Sequence, residues 1–185
     1  MPSRSRWNSG ERLRIVVLIV CAALVVSTPA VRAGDAEWIA DGVTGCRVSN
    51  PNPQPNESIR WSGACVDGVG HGPGVIQWYT DDRPNERYEG VLRDGKMDGR
   101  GFYSYASGNR YEGEWLDDKR HGHGVFVFTN GARFDGEWRD NKPNGAGTYT
   151  ARDGATYTGT WTDGCFRQGD RQIAVGASRE ACGFR

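Results

Sequence analysis

Chemistry in a chain of this kind would have to come from cysteines, histidines, paired carboxylates or glycine-rich loops, and the sequence offers candidates for each. Cysteines stand at 21, 46, 65, 165 and 182. Cys46 and Cys65 are 19 residues apart, Cys165 and Cys182 are 17 apart, and a hundred residues separate the two pairs. That spacing is unlike a Cys-x-x-Cys zinc site, and four cysteines in an exported chain read as two disulfides. His121-Gly-His123 offers two imidazoles with no third ligand indicated, and His71 stands alone. Asp81-Asp82 reads as a solvated loop pair. Gly68–Gly74 lacks the Gly-Lys-Ser/Thr ending and the following helix of a phosphate loop, and no serine sits in a Gly-x-Ser-x-Gly elbow. The expectation is therefore a protein with no enzymatic activity, no metal and no cofactor.

The elements that carry these residues begin with an address. Arg4, Arg6, Arg12 and Arg14 form a basic head, and the apolar run Ile15 to Val26 follows. Its 12 residues are fewer than the ~20 needed to span a bilayer. Pro29 then breaks the run, and Val31-Arg32-Ala33 supplies a peptidase site, the layout of a cleaved secretory signal over residues 1–33. Cys21 follows Val20 rather than a small residue, which disfavours lipid attachment. The reading places the mature protein in the periplasm or outside the cell.

Composition narrows the fold. Residues 1–33 hold five arginines against Glu11, which leaves residues 34–185 with 18 basic and 22 acidic side chains, a net of −4. An acidic surface repels phosphate, so nucleic acid is excluded as a partner. Glycine is 27 of 185 residues, about twice its usual share. Only two of five leucines, Leu92 and Leu116, lie beyond residue 33, while 19 of 20 aromatics do. Helical bundles need leucine-like stripes; aromatics and glycines in this number point to an all-β protein with many tight turns.

The aromatics recur. Trp61, Tyr88, Tyr111, Phe134 and Tyr157 begin units spaced 27, 23, 23 and 23 residues apart, with four extra residues near Asp81–Glu86 in the first. Counting each start as position 0, position 2 is Gly63, Gly90, Gly113, Gly136 and Gly159. Position 4 is Cys65, Leu92, Trp115, Trp138 and Trp161, and position 6 is aspartate in all five. Glycine pairs close most units at positions 11 and 13. Each unit reads as one β-hairpin. Strict alternation in Tyr111-Glu-Gly-Glu-Trp115 puts positions 0, 2 and 4 on one face. A turn spans the Asp, Gly, Lys and His residues, and a second strand runs over positions 13–17. The expected register pairs position 2 with 15, setting Gly113 opposite Phe126 and Trp115 opposite Gly124. The other face carries Arg60, Arg87, Arg110 and Arg133 at position −1 with Glu89, Glu112, Glu114, Asp135 and Glu137 beside them, for which cross-strand Arg–Glu pairs are expected.

The stretches Tyr88–Gly101, Tyr111–Gly124 and Phe134–Gly147 carry the pattern most fully, and over residues 61–165 the sequence resembles the MORN (membrane occupation and recognition nexus) repeat family. The resemblance implies an elongated single-layer antiparallel ladder of hairpins used for protein contacts and, in some members, membrane association. Cys65 in the tryptophan position and the insertion after Thr80 depart from the pattern.

Such a ladder exposes strand edges at both ends, so residues 34–60 and 166–185 are expected to cap it. Asn50–Asn56, with three prolines, reads as a stiff arm; Arg171–Val175 reads as a strand, and Ser178 as the cap of a helical turn reaching Cys182. Eight strands separate Cys65 from Cys165, ~38 Å at ~4.8 Å per strand. A disulfide needs Cα atoms within about 7 Å, so Cys46–Cys65 and Cys165–Cys182 are the expected pairs, one tying each end. The favoured function is a protein-binding scaffold module; the alternative is an envelope protein that binds glycan or cell wall on its aromatic rows. Lys96, Lys119 and Lys142 line up at position 8, each with an aspartate two residues before it, so no strong lipid binding is expected.

Overall fold

The computed structural model describes residues 37–184. The export signal expected over residues 1–33 lies outside them. Fourteen strands make up the described residues: β1 (Glu37–Ala40), β2 (Arg47–Asn50), β3 (Glu57–Trp61), β4 (Ala64–Val66), β5 (Val69–Thr80), β6 (Arg83–Arg93), β7 (Lys96–Ser104), β8 (Arg110–Leu116), β9 (Lys119–Val127), β10 (Arg133–Arg139), β11 (Lys142–Thr150), β12 (Thr156–Trp161), β13 (Cys165–Gln168) and β14 (Arg171–Ala174). Strands β5 to β12 pair antiparallel in chain order, the β3–β4 segment adds to the other edge of β5, and β13 and β14 form a small separate ribbon. The fold is the expected all-β single-layer ladder with disulfide-tied ends, Cys46–Cys65 and Cys165–Cys182, their Cα atoms 5.8 and 5.5 Å apart.

Hairpins form because their turns are two residues long and chemically suited to it. Asp67-Gly68, Asp94-Gly95, Asp117-Asp118, Asp140-Asn141 and Asp163-Gly164 all have positive φ, the conformation that matches the right-handed strand twist. The turn is shorter than the sequence suggested, and the next strand starts at position 8. Successive turns are stitched together. The position 7 N–H donates to the position 9 carbonyl of the preceding unit in four places: Gly95 to Gly70, Asp118 to Met97, Asn141 to Arg120 and Gly164 to Pro143, at 2.8–3.2 Å. The insertion after Thr80 is not a loop either. Asp81 and Asp82 form one more positive-φ turn, and residues 83–86 lengthen β6. Asn56 Nδ2 donates to Asp81 Oδ1 across it.

The register corrects one expectation. Gly113 faces Gly124 and Tyr111 faces Phe126, so position 2 pairs with 13 and position 0 with 15. Gly122, at φ 55°, begins a bulge that shifts the pairing, and Trp115 faces Arg120 instead of Gly124. One glycine row therefore crosses eight strands: Gly74, Gly90, Gly101, Gly113, Gly124, Gly136, Gly147 and Gly159. The reason is steric. A Cβ on Gly113 or Gly124 would stand 2.3–2.7 Å from the Tyr111 ring, which lies flat across both strands. Each position 4 tryptophan reaches back over the preceding hairpin, with Trp115, Trp138 and Trp161 indoles donating to the carbonyls of Gly101, Gly124 and Gly147.

The ends differ. An N-terminal hairpin, β1–β2, goes beyond the arm read from sequence; Asn50 closes β2, and residues 51–56 are the loop into β3. Val48 and Leu92 pack over Gly70, filling the space that the missing position 4 tryptophan leaves at Cys65. Asp41 anchors this hairpin, its carboxylate accepting the N–H groups of Val43, Thr44 and Trp61. At the other end Phe166 stacks on Trp161, ring centroids 5.1 Å apart, and β14 occupies Arg171–Ala174 as expected. Ser178 Oγ accepts the Ala181 N–H, capping the turn that brings Cys182 to Cys165.

Candidate interaction surface

The repeat-core residues predicted from sequence come together on one face. Tyr88, Tyr111 and Phe134 have no exposed surface, and no tryptophan of the array is more than 5% exposed. Edge-to-face contacts link them, as between Tyr111 and Trp138 at 5.4 Å and Phe134 and Trp161 at 5.0 Å. The Tyr88 and Tyr111 hydroxyls donate to the carbonyls of Val91 and Glu114, and burial pushes both phenols well above their ordinary pKa. Tyr88, Tyr111 and Phe134 therefore have no open face on which a sugar could stack, whereas Tyr157 is half-buried.

The candidate chemical residues are dispersed. Among the described residues all four cysteines are in disulfides, and no three His, Cys, Asp or Glu side chains converge as a metal site would require. His123 Nε2 lies 3.2 Å from Asp135, and His71 lies 3.9 Å from Asp94. Lys96 and Lys119 pair with Asp117 and Asp140 of the following turn at 3.5 and 3.2 Å, not with the aspartates of their own turn.

The opposite face is open. Its side chains come from positions 1, 3, 12 and 14, and between them the glycine row leaves bare backbone. One row reads Glu89, Phe102, Glu112, Val125, Asp135, Thr148, Thr158 across β6 to β12. Its neighbour places Arg100 opposite Glu114, His123 opposite Glu137 and Ala146 opposite Thr160. The trough between them encloses about 500 Å³ at Arg100, Phe102, Glu112 and Val125. It continues through His123 into a second hollow of about 450 Å³ lined by Glu137 and the threonines. The arginines at its rim do not pair across strands as expected. Arg87 binds Glu89 at 2.8 Å and Arg133 binds Asp135, each two residues along its own strand, because the strand partners of Arg87 are Gln77 and Ser104 and those of Arg133 are Val127 and Thr150. Glu112 stands without such a partner among the described residues, exposed between Phe102 and Val125. Phe102 and Val125 escaped the sequence reading because the expected register, position 2 with 15, set position 1 against 16, whereas within each hairpin position 1 faces 14.

The sequence model of the MORN repeat matches residues 66–83, 88–110, 111–133 and 134–156. The chain carries four MORN repeats. No curated protein matches it. The structure extends the MORN rows beyond the matched segments at both ends: Trp61 pairs with Ile76, and Tyr157 with Tyr149. Both outer units are incomplete, the first by Cys65 and the last because its second strand, β13, leaves the sheet. MORN repeats are commonly protein- or membrane-interaction modules.

Proposed function

We propose that this MORN protein is an exported, non-enzymatic scaffold whose trough binds a protein partner. The observation that carries the reading is the row Glu89, Phe102, Glu112, Val125, Asp135, in which apolar and acidic side chains alternate on a backbone held rigid by the packed rings beneath. That pattern complements an extended segment bearing Lys or Arg between apolar residues, since opposite charge sets register while the apolar contacts supply burial. Export is supported by the basic head, short apolar run and Val31-Arg32-Ala33, and two disulfides are consistent with an oxidising compartment. The non-enzymatic part of the reading rests on the sequence, which has neither a Gly-x-Ser-x-Gly elbow nor the Gly-Lys-Ser/Thr ending of a phosphate loop.

The test is capture from envelope extract by the mature protein and by a Phe102→Glu, Val125→Glu variant. Loss of a wild-type partner in the variant, with an unchanged circular dichroism spectrum, supports the trough. The same partners bound equally by both proteins would overturn it, as would turnover of an esterase, phosphatase or glycosidase substrate that a single substitution abolishes.

A further inference from the structure

A further hollow, of about 400 Å³, opens on the aromatic face where the loop after β2 passes β6 and β7. Its walls include the rings of Trp78, Tyr103 and Tyr105 and the carboxylates of Glu57 and Glu86, and no Lys, Arg or His lines it. The rings form a continuous surface, Trp78 to Tyr103 at 5.6 Å and Tyr103 to Tyr105 at 4.4 Å. Both carboxylates are held by neutral donors. Glu86 accepts the Tyr103 hydroxyl and the Ala106 N–H, and Glu57 accepts Asn50 Nδ2 at 2.6 Å and the Gln54 N–H. Neither has a Lys or Arg nitrogen within 4 Å among the described residues. Two carboxylates therefore line a hollow that the rings of Trp78, Tyr103 and Tyr105 also line, and no Lys, Arg or His among the described residues compensates them there.

One repeat further along, the same face shows what such rings accept. Arg120 lies 4.6 Å above Trp138, 5.1 Å from Phe126 and 5.8 Å from Tyr111, hydrogen-bonded to Asn141 and without a carboxylate partner among the described residues. Arg120 is at position 9 of its unit, and the residue at that position in the unit before is Met97, which borders the hollow but carries no charge. A guanidinium occupies the aromatic site in one repeat, and in the neighbouring repeat rings and carboxylates are present without a cation.

We propose that this hollow binds an organic cation, an alkylammonium or guanidinium group. Its volume suits a group of that size, and the combination of ring faces with partly buried carboxylates is the chemistry by which ammonium ions are recognised. Such a group has two sources, a free quaternary ammonium compound or the basic side chain of a partner, and the experiment separates them.

The mature protein is titrated with choline, with N-acetyl-lysine amide and with N-acetyl-arginine amide, following the Trp78 indole resonance. Saturable shifts are expected for at least one. Choline binding best assigns the hollow to a free quaternary ammonium; an amide binding best assigns it to a basic side chain. A Glu57→Gln, Glu86→Gln variant is expected to bind about tenfold more weakly. 3,3-Dimethylbutanol, the uncharged analogue of choline, provides the same comparison on unaltered protein, with an expected loss of about tenfold or more. No saturation by any of the three cations, or equal affinity for choline and its uncharged analogue, would overturn the proposal.

Discussion

On strand β8, Tyr111, Gly113 and Trp115 point to one face and Glu112 and Glu114 to the other, and the two faces obey different rules. The aromatic face is closed. The position 0 rings Tyr88, Tyr111 and Phe134 each rest on a glycine pair and touch the tryptophan of the next hairpin, so each is constrained by residues from two units. The trough face is open, and its side chains meet one another at ion pairs such as Arg87–Glu89 and at the 2.9 Å Thr148–Thr158 hydroxyl contact. The comparison teaches where stability and recognition reside in a single-layer sheet. With no second layer to bury against, one face must become the core, and the other is left free to vary.

The largest expected effect tests the closed face. Trp138→Ala removes a ring that is 3% exposed, touches Tyr111 and Phe134 and donates to Gly124, and it should cost about 3–5 kcal/mol in a denaturant melt. Glu112→Ala on the open face should stay within about 0.5 kcal/mol. Equal losses would erase the distinction between the faces.

Next in size are the disulfides. Each closes a short terminal loop, and removing one should cost about 2–4 kcal/mol. Hydrogen exchange after reduction should lose protection at residues 37–66 and 162–184 before residues 88–156. Uniform loss would mean that the ends and the aromatic ladder fold as one unit.

Asp41 sharpens the contrast between the ends. Burial alone would raise its carboxyl pKa; the N–H donors from Trp61, Val43 and Thr44, with Arg60 at 3.6 Å, outweigh burial and hold it below the ordinary value. A depressed folded value contributes stability that is complete above the unfolded pKa of about 3.9 and lost as pH falls through the folded one. Asp41→Asn sets an amide donor against one of the N–H donors now held by the carboxylate and should cost about 1–3 kcal/mol near neutrality. The variant and wild-type melts should converge as the pH is lowered below about 4.

The smallest effect concerns lipid. Lys96 and Lys119 of the lysine row are matched by aspartates of the adjacent turns and residues 34–185 are net acidic, so mature protein should not co-float with anionic vesicles at physiological salt. Co-flotation abolished by Lys96, Lys119 and Lys142 to Glu would make the turn edge, rather than the trough, the binding surface.

Much of this architecture is legible along the chain. Tyr111-Glu-Gly-Glu-Trp115 alternates, the position 6 aspartates mark the turns, and a 23-residue period places Cys65 too far from Cys165 to bond. These are local properties, set by side-chain volume and φ preference within a few residues. The glycine–glycine register, the reach of Trp138 over the preceding hairpin, the β1–β2 hairpin over Cys65 and the meeting of Glu57, Trp78, Glu86 and Tyr105 were decided in the folded sheet. Glu57 reaches Glu86 and Tyr105 only through the successive pairing of β3 with β5 (Glu57 with Thr80), β5 with β6 (Thr80 with Arg83) and β6 with β7 (Arg87 with Ser104), and the register shifts within the β6–β7, β8–β9 and β10–β11 hairpins are ones no local preference encodes. Alternation determines which face a side chain takes; the pairing of whole strands, settled by how rings pack over glycines, determines which side chains it meets there.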